Sequence, residues 1–227
     1  MFSYDAAVAE QYPSIRAGVM LAGGLTNDPS SLELQAEYRE AQASAIARLQ
    51  TTAIADLPSI AAWRRAFTRF GAKPTQYRNA AESLQRRLEK QGEIPSISTL
   101  VDLGNLVSIR YALPVAIFDR AKFADAITVR IANGTEPFAD LGSSESVHPE
   151  PGEVIFVDGD GIVCARRWCW RQSADSAVSP DTTGAMIVIE GHHETAEADI
   201  RSAVADMTAL LEMYQPGSVV DSFEVPR

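Results

Sequence analysis

A change of hydrophobic period along the chain predicts an α+β fold. Three observations carry it. Apolar residues recur every three or four positions from about residue 28 to 113. Runs rich in β-branched and aromatic residues, bounded by Gly, Pro, Asp and Ser, follow from about 114 to 192. A last stretch, about 195–214, returns to helical spacing. Helices first, strands later and a closing helix is an α+β order, not the alternation of a parallel sheet. The expectation is a layered fold: an N-terminal helical segment, a mostly antiparallel sheet core and a C-terminal helix. Neither a linker nor a repeat divides the 227 residues, so one domain, 1–227, is expected.

The elements follow in order. Ile15–Leu21 reads as a strand ending at Gly23-Gly24. Asp28-Pro29-Ser30 opens a helix that Asp28 or Ser30 can cap, with Glu33 in capping-box spacing. Leu32, Ala36, Ala43, Ile46 and Leu49 are its apolar positions. Pro58 suits a first helical turn, and Ile60, Trp63, Phe67 and Phe70 continue at helical spacing to Gly71. Thr75 is the expected cap of the next helix, with Tyr77, Ala80, Ala81, Leu84 and Leu88 inside and Gly92 as its stop. Pro95-Ser96 opens a fourth helix that runs to Pro114, which ends it and prefixes the strand Val115–Phe118. Ile127–Ile131, Glu153–Val157, Ile162–Trp170 and Met186–Ile189 read as strands. Asp158-Gly159-Asp160-Gly161 reads as a hairpin turn, since the ligand series of a calcium loop is missing. The tail from Ser218 reads as irregular.

Composition narrows the function classes. The net charge is −10, with 46% hydrophobic and 22% charged residues. A general nucleic-acid binder is usually basic, so broad RNA binding is disfavoured. One basic island stands out, with Arg64, Arg65, Arg69, Lys73, Arg78, Arg86, Arg87 and Lys90 against Glu82 and Glu89. It is either a solvated helix face or a docking surface for an RNA backbone or acidic partner. No basic leader with an apolar core and no membrane-length apolar run is seen, so a cytoplasmic protein is expected. Cys164 and Cys169, five apart on an expected strand, point to opposite faces, which argues against a shared disulfide or metal.

Several residues carry possible chemistry. Glu190 closes an apolar strand. Facing a pocket, it would bind an amine or hydroxyl, or act as a base with a raised pKa. Otherwise it is solvated, or paired with an arginine such as Arg166. On the expected strand Trp168 and Trp170 share one face, as core or as the wall of a pocket for an aromatic ring or base. Arg171, Gln172 and Ser173 follow and would add polar contacts. Adjacent histidines His192 and His193, followed by Glu194, lack a third metal ligand at suitable spacing, so no metal is expected. No phosphate-binding glycine loop, Ser-His-Asp elbow or catalytic cysteine signature is present.

Longer strings carry a resemblance. Pro95, Ser96, Ile97, Val101, Asp102, Asn105, Val107, Pro114, Phe118 and Asp119 match a pattern of the B3/B4 module of the phenylalanyl-tRNA synthetase β subunit. PGEVIFVDGDGIVCARRWCWRQS, Val178, Thr182 and MIVIE extend the match, and RFGAKPTQYRNAAESL resembles free-standing B3/B4-domain proteins. The resemblance implies a B3/B4-like layered fold and a tRNA or aminoacyl-tRNA partner, or a free amino-acid-like ligand, with no membrane and no cofactor. It implies that the ester of a mischarged tRNA is hydrolysed in trans, or that the module binds without catalysis. Ligation driven by ATP is not implied. In the synthetase a glutamate matching Glu190 contacts the hydroxyl of misactivated tyrosine. Asp102, Asn105 and Pro114 are then structural. Glu190, Trp168, Trp170, Arg171, Gln172 and Ser173 would bind ligand, and Arg64, Arg65, Arg69, Lys73, Arg78, Arg86 and Arg87 would contact RNA. Ala116 stands where the synthetase has a histidine, and Thr99 where it has an arginine.

Overall fold

A computed structural model describes residues 1–142 and 146–225. The strands are β1 (Phe2–Tyr4), β2 (Arg16–Gly23), β3 (Val115–Asp119), β4 (Ile127–Ile131), β5 (Phe138–Ala139), β6 (Ser146–Val147), β7 (Val154–Val157), β8 (Val163–Arg166), β9 (Arg171–Gln172), β10 (Gly184–Gly191) and β11 (Val219–Val225). The helices are α1 (Ala6–Gln11), α2 (Leu32–Leu49), α3 (Pro58–Arg69), α4 (Ala80–Gln91), α5 (Thr99–Tyr111) and α6 (Ala196–Tyr214). One sheet runs β1-β4-β7-β8-β9, and a second runs β11-β2-β10-β3. All their pairings are antiparallel except β1 with β4. The α+β expectation holds.

Strand alternation builds the layers. In β10, Ala185, Ile187 and Ile189 face one way and pack with α2, α5 and α6 residues such as Tyr38, Leu103 and Met207. Met186 and Val188 face the other way, into a core with Phe2, Val129, Phe156 and Trp63. The β11-β2-β10-β3 sheet is thus sandwiched between helices and the other sheet. The same parity sends Glu190 toward that second core. α6 lies close on β2 because Gly18 has no side chain; a Cβ there would sit 2.5 Å from Val204 Cγ2.

Several boundaries differ from expectation. Ser31, not Ser30 or Asp28, caps α2 by accepting from Leu34 N. Ser30 is diverted to Asp102, donating to its Oδ2 at 2.6 Å. Asn79, not Thr75, caps α4, so Tyr77 lies before the helix. Helix α5 starts at Thr99 rather than Pro95-Ser96, and stops at Tyr111 because Ala112 is left-handed. The tail is not irregular: Val219–Val225 pairs with β2 along its length. Phe2–Tyr4 and Ala6–Gln11, unread in the sequence, are a strand and a helix.

The largest departure is at Ile162–Trp170. It is not one strand: β8 ends at Arg166, and residues 167–170 form a turn. Arg167 and Trp168 both have positive φ, 44° and 59°. That conformation costs about 1–2 kcal/mol per residue for an L side chain. Trp168 and Trp170 therefore do not share a strand face. Nor does strand parity place Cys164 and Cys169; both are free thiols. At the start of β8 the hairpin turn holds as read, with Asp158 Oδ1 accepting from Asp160 N and Ile162 N.

Candidate functional site

The reversal at Arg167-Trp168 turns the Trp168 indole inward. The Trp168 backbone N–H donates to Val154 O at 2.6 Å, and the indole Nε1–H donates to Glu190 Oε1 at 3.0 Å. Trp168 is fully buried and packs edge-on to Tyr12, Trp63 and His192, at 5.0, 5.2 and 4.9 Å between ring centroids. Tyr4, from β1, donates its hydroxyl to the same Glu190 oxygen at 2.5 Å. Oε2 makes no hydrogen bond among the described residues.

Glu190 is 3% exposed. Burial pushes its carboxyl from the ordinary 4.5 up to about 7, although the Trp168 and Tyr4 donors pull the other way. Near neutral pH the group sits between acid and carboxylate. It is neither solvated nor paired with Arg166, which forms a buried ion pair with Glu153 instead.

Glu190 lines a cavity of about 80 Å³, room for a group of a few heavy atoms. Pro114, Ala116, Trp168, Cys169, Trp170 and Gln172 are among its walls. The first residue of α4, Ala80, joins them and donates its N–H to Cys169 O at 2.8 Å. Burial holds the Cys169 thiol well above its ordinary pKa, so it is a protonated wall and not a thiolate.

The expected ligand residues divide. Trp168, Trp170, Arg171 and Gln172 line the cavity with Glu190. Ser173 does not; it is fully buried and donates to Ala139 O. Gln172 is tied to backbone, donating to Ile117 O and Ser176 O. Arg171 pairs with Asp140, while Trp170 lies edge-on to Tyr77 under the Arg167 guanidinium.

The basic island divides too. Arg64, Arg78 and Arg86 converge on Glu82, which is fully buried, at 2.7, 3.9 and 2.8 Å. Arg87 bonds Gln91, and Lys73 is exposed. Arg65 and Arg69 make no ion pair among the described residues and line a second cavity with Tyr12, Ser14 and His192. Strand β1 and the C-cap of α1 thus contribute Tyr4 and Tyr12, which sequence reading missed.

Asp102 is fully buried and accepts from Ser30, Ser96 and Ile97 N, fastening the start of α5. Asn105, one turn on, faces Tyr38. Pro114 O accepts from Glu190 N, so the proline that ends the helical segment also registers the site strand. His193 bonds Asp199 and His192 packs among aromatic rings; no cluster of metal-ligating side chains occurs among the described residues.

The B3/4 domain model matches residues 62–212, which include the Trp168 turn, Glu190 and the basic island. The chain belongs to the B3/4 domain family. It is 35% identical over 82 residues to the phenylalanine–tRNA ligase β subunit of Shewanella oneidensis, covering 36% of this chain and 10% of that one. The corresponding subunit of Neisseria gonorrhoeae is 34% identical over 80 residues, with 35% and 10% covered. The chain thus spans about a tenth of the length of these relatives. An N-terminal fragment of the phenylalanyl-tRNA synthetase β subunit from Pyrococcus horikoshii superimposes with a TM-score of 0.54 at 13% identity, over all of this chain and 54% of that one. That likeness establishes the fold. No described helix is long and apolar enough to cross a membrane.

Proposed function

We propose that the Glu190 cavity receives the tip of the amino-acid side chain of an aminoacyl-tRNA and that the protein hydrolyses mischarged esters in trans. One observation carries this reading. Glu190 offers one carboxylate oxygen to two fixed protein donors and leaves the other unbonded, beside a cavity with room for only a few heavy atoms. A carboxyl poised near neutrality accepts from a hydroxyl or ammonium when charged and donates when neutral. In the related synthetase module the matching glutamate reads a tyrosine hydroxyl.

No activated nucleophile lines the cavity. Hydrolysis would rest on holding the ester against water, with the terminal ribose hydroxyl assisting; positioning alone supplies large rate factors. Glu82 fixes Arg64, Arg78 and Arg86 in place and offsets one of their three charges, so the cations freest to contact the RNA body are Arg65, Arg69, Lys73 and Arg87. A non-catalytic module for a free amino-acid-like ligand is favoured instead if that reduced surface fails to hold tRNA.

The test is deacylation of a panel of mischarged tRNAs, with Glu190→Gln and Trp170→Ala alongside. Turnover that falls at least tenfold in Glu190→Gln is expected. Binding of charged tRNA without turnover would leave only the binding module. Neither turnover nor binding would overturn both.

A further inference from the structure

The Glu190 cavity opens beside a cluster of flat groups. Trp170 and Arg171 belong to its lining and both reach solvent: Trp170 is half-buried, and the Arg171 side chain is 50% exposed. They stand at its mouth. Arg167 lies behind them, 11% exposed and paired with Glu153 at 2.8 Å. Its guanidinium rests over two rings, 3.9 Å from the centre of Tyr77 and 4.8 Å from that of Trp170. Arg171 rests over the Trp170 ring as well, 4.7 Å from its centre, and its Nη1 pairs with Asp140.

Arg171 is thus held by a ring and by a carboxylate, yet half of its surface stays open. A long cation free in water samples many rotamers. Here the two partners settle where the guanidinium plane lies. As a stabilising device the arrangement is poor, because an exposed ion pair contributes little. As a contact surface it is prepared in advance. A guanidinium plane is one of the surfaces on which unpaired bases stack, and fixing it beforehand removes an ordering cost from binding.

The position of this surface selects the base. The assignment rests on the proposed role of Glu190: with a side-chain tip in that cavity, the ester, the terminal ribose and its base must follow outward in that order. Groups at the mouth therefore meet the terminal nucleoside rather than the RNA body.

We infer that Arg171, backed by Trp170 and held by Asp140, is the stacking platform for the terminal base of the tRNA acceptor end. Stacking tolerates any base, so no hydrogen-bond readout is needed. Arg171 touches the base. Asp140 acts through Arg171 and is a positioning residue.

An uncharged CCA trinucleotide tests this without any ester. Its binding, followed by the fluorescence anisotropy of a 5′ label, is compared with that of the same trinucleotide lacking the terminal base. The intact form is expected to bind roughly tenfold tighter. Arg171→Lys keeps the charge and loses the plane. It should bring the two forms within about twofold of each other while leaving the melting temperature unchanged. Asp140→Asn should narrow the preference in part. Equal affinity for the two forms in the parent protein, or a preference that survives in Arg171→Lys, overturns the inference. Adenosine that binds as tightly as the trinucleotide overturns the acceptor end as the source of the base. Failure to deacylate mischarged tRNA, with the base preference intact, would count against the reading of Glu190 alone.

Discussion

The two cavities that meet at Trp168 have opposite chemistry. On one side is a single buried acid whose fixed neighbours are donors, with no cation at hydrogen-bonding distance. On the other are two exposed arginines, Arg65 and Arg69, with no acid in the lining. The same indole bounds the first directly and packs on Tyr12 and His192 of the second. The residues involved at the end of β10, Glu190 and His192, are two apart. What separates their chemistry is not the scaffold but what each is left to pair with. Burial acts on both, driving the acid up toward neutrality and the imidazole down to its uncharged form.

Removing the shared wall is the largest expected disturbance. Trp168→Ala should destabilise the fold by about 3–5 kcal/mol, read by denaturant unfolding, and should open both cavities at once. A loss under about 1 kcal/mol would mean that the two sides do not depend on this indole.

Changing only the acid should have a smaller effect that depends on pH. In the fold the Glu190 carboxyl titrates near 7, above its ordinary 4.5. The folded state therefore favours the protonated form. Its advantage is complete below pH 4.5 and is lost as pH rises through 7. Glu190→Gln keeps an acceptor for Tyr4 and Trp168 but cannot ionise. It should be more stable than the parent at pH 8 by roughly 1–3 kcal/mol and nearly equal at pH 4. A difference that does not vary across this range would mean that Glu190 is not desolvated.

The smallest of these effects belongs to one donor. Tyr4→Phe removes a bond to the carboxylate and should cost about 1–2 kcal/mol at pH 8, less at pH 4. Because that bond holds the pKa down, the Glu190 titration followed by carboxyl NMR should move upward.

Much of the scaffold was legible because its signals are long and periodic. Pro58 begins α3 as its fixed φ suggests, and Ile127–Ile131 is β4 as read. MIVIE was legible as a strand, but it is apolar on both faces, so the direction of Glu190 came only with the packing of Met186 and Val188 in the second core. Other parts lacked a periodic signal. A strand of three residues and a helix of six, β1 and α1, are too short to repeat a pattern, yet β1 carries Tyr4 and the C-cap of α1 is Tyr12. The Trp168 turn was hidden for another reason. Arg-Arg-Trp-Cys-Trp has strand-forming residues and no glycine, and only tertiary contacts, above all the indole bond to Glu190, hold two of its residues left-handed. The basic island was visible as charge, but its division was not. The buried Glu82 claims three arginines through contacts that span up to eighteen positions.

The Tyr4–Glu190 bond joins residues 186 positions apart, with one partner in each sheet. Such a contact can close only after both sheets have docked, and long-range closures of this kind are slow. In the unfolded chain the carboxyl is open to water and ionised at neutral pH. Folding between pH 4.5 and 7 therefore draws protons onto Glu190, and proton uptake measured on refolding should be greatest in that range.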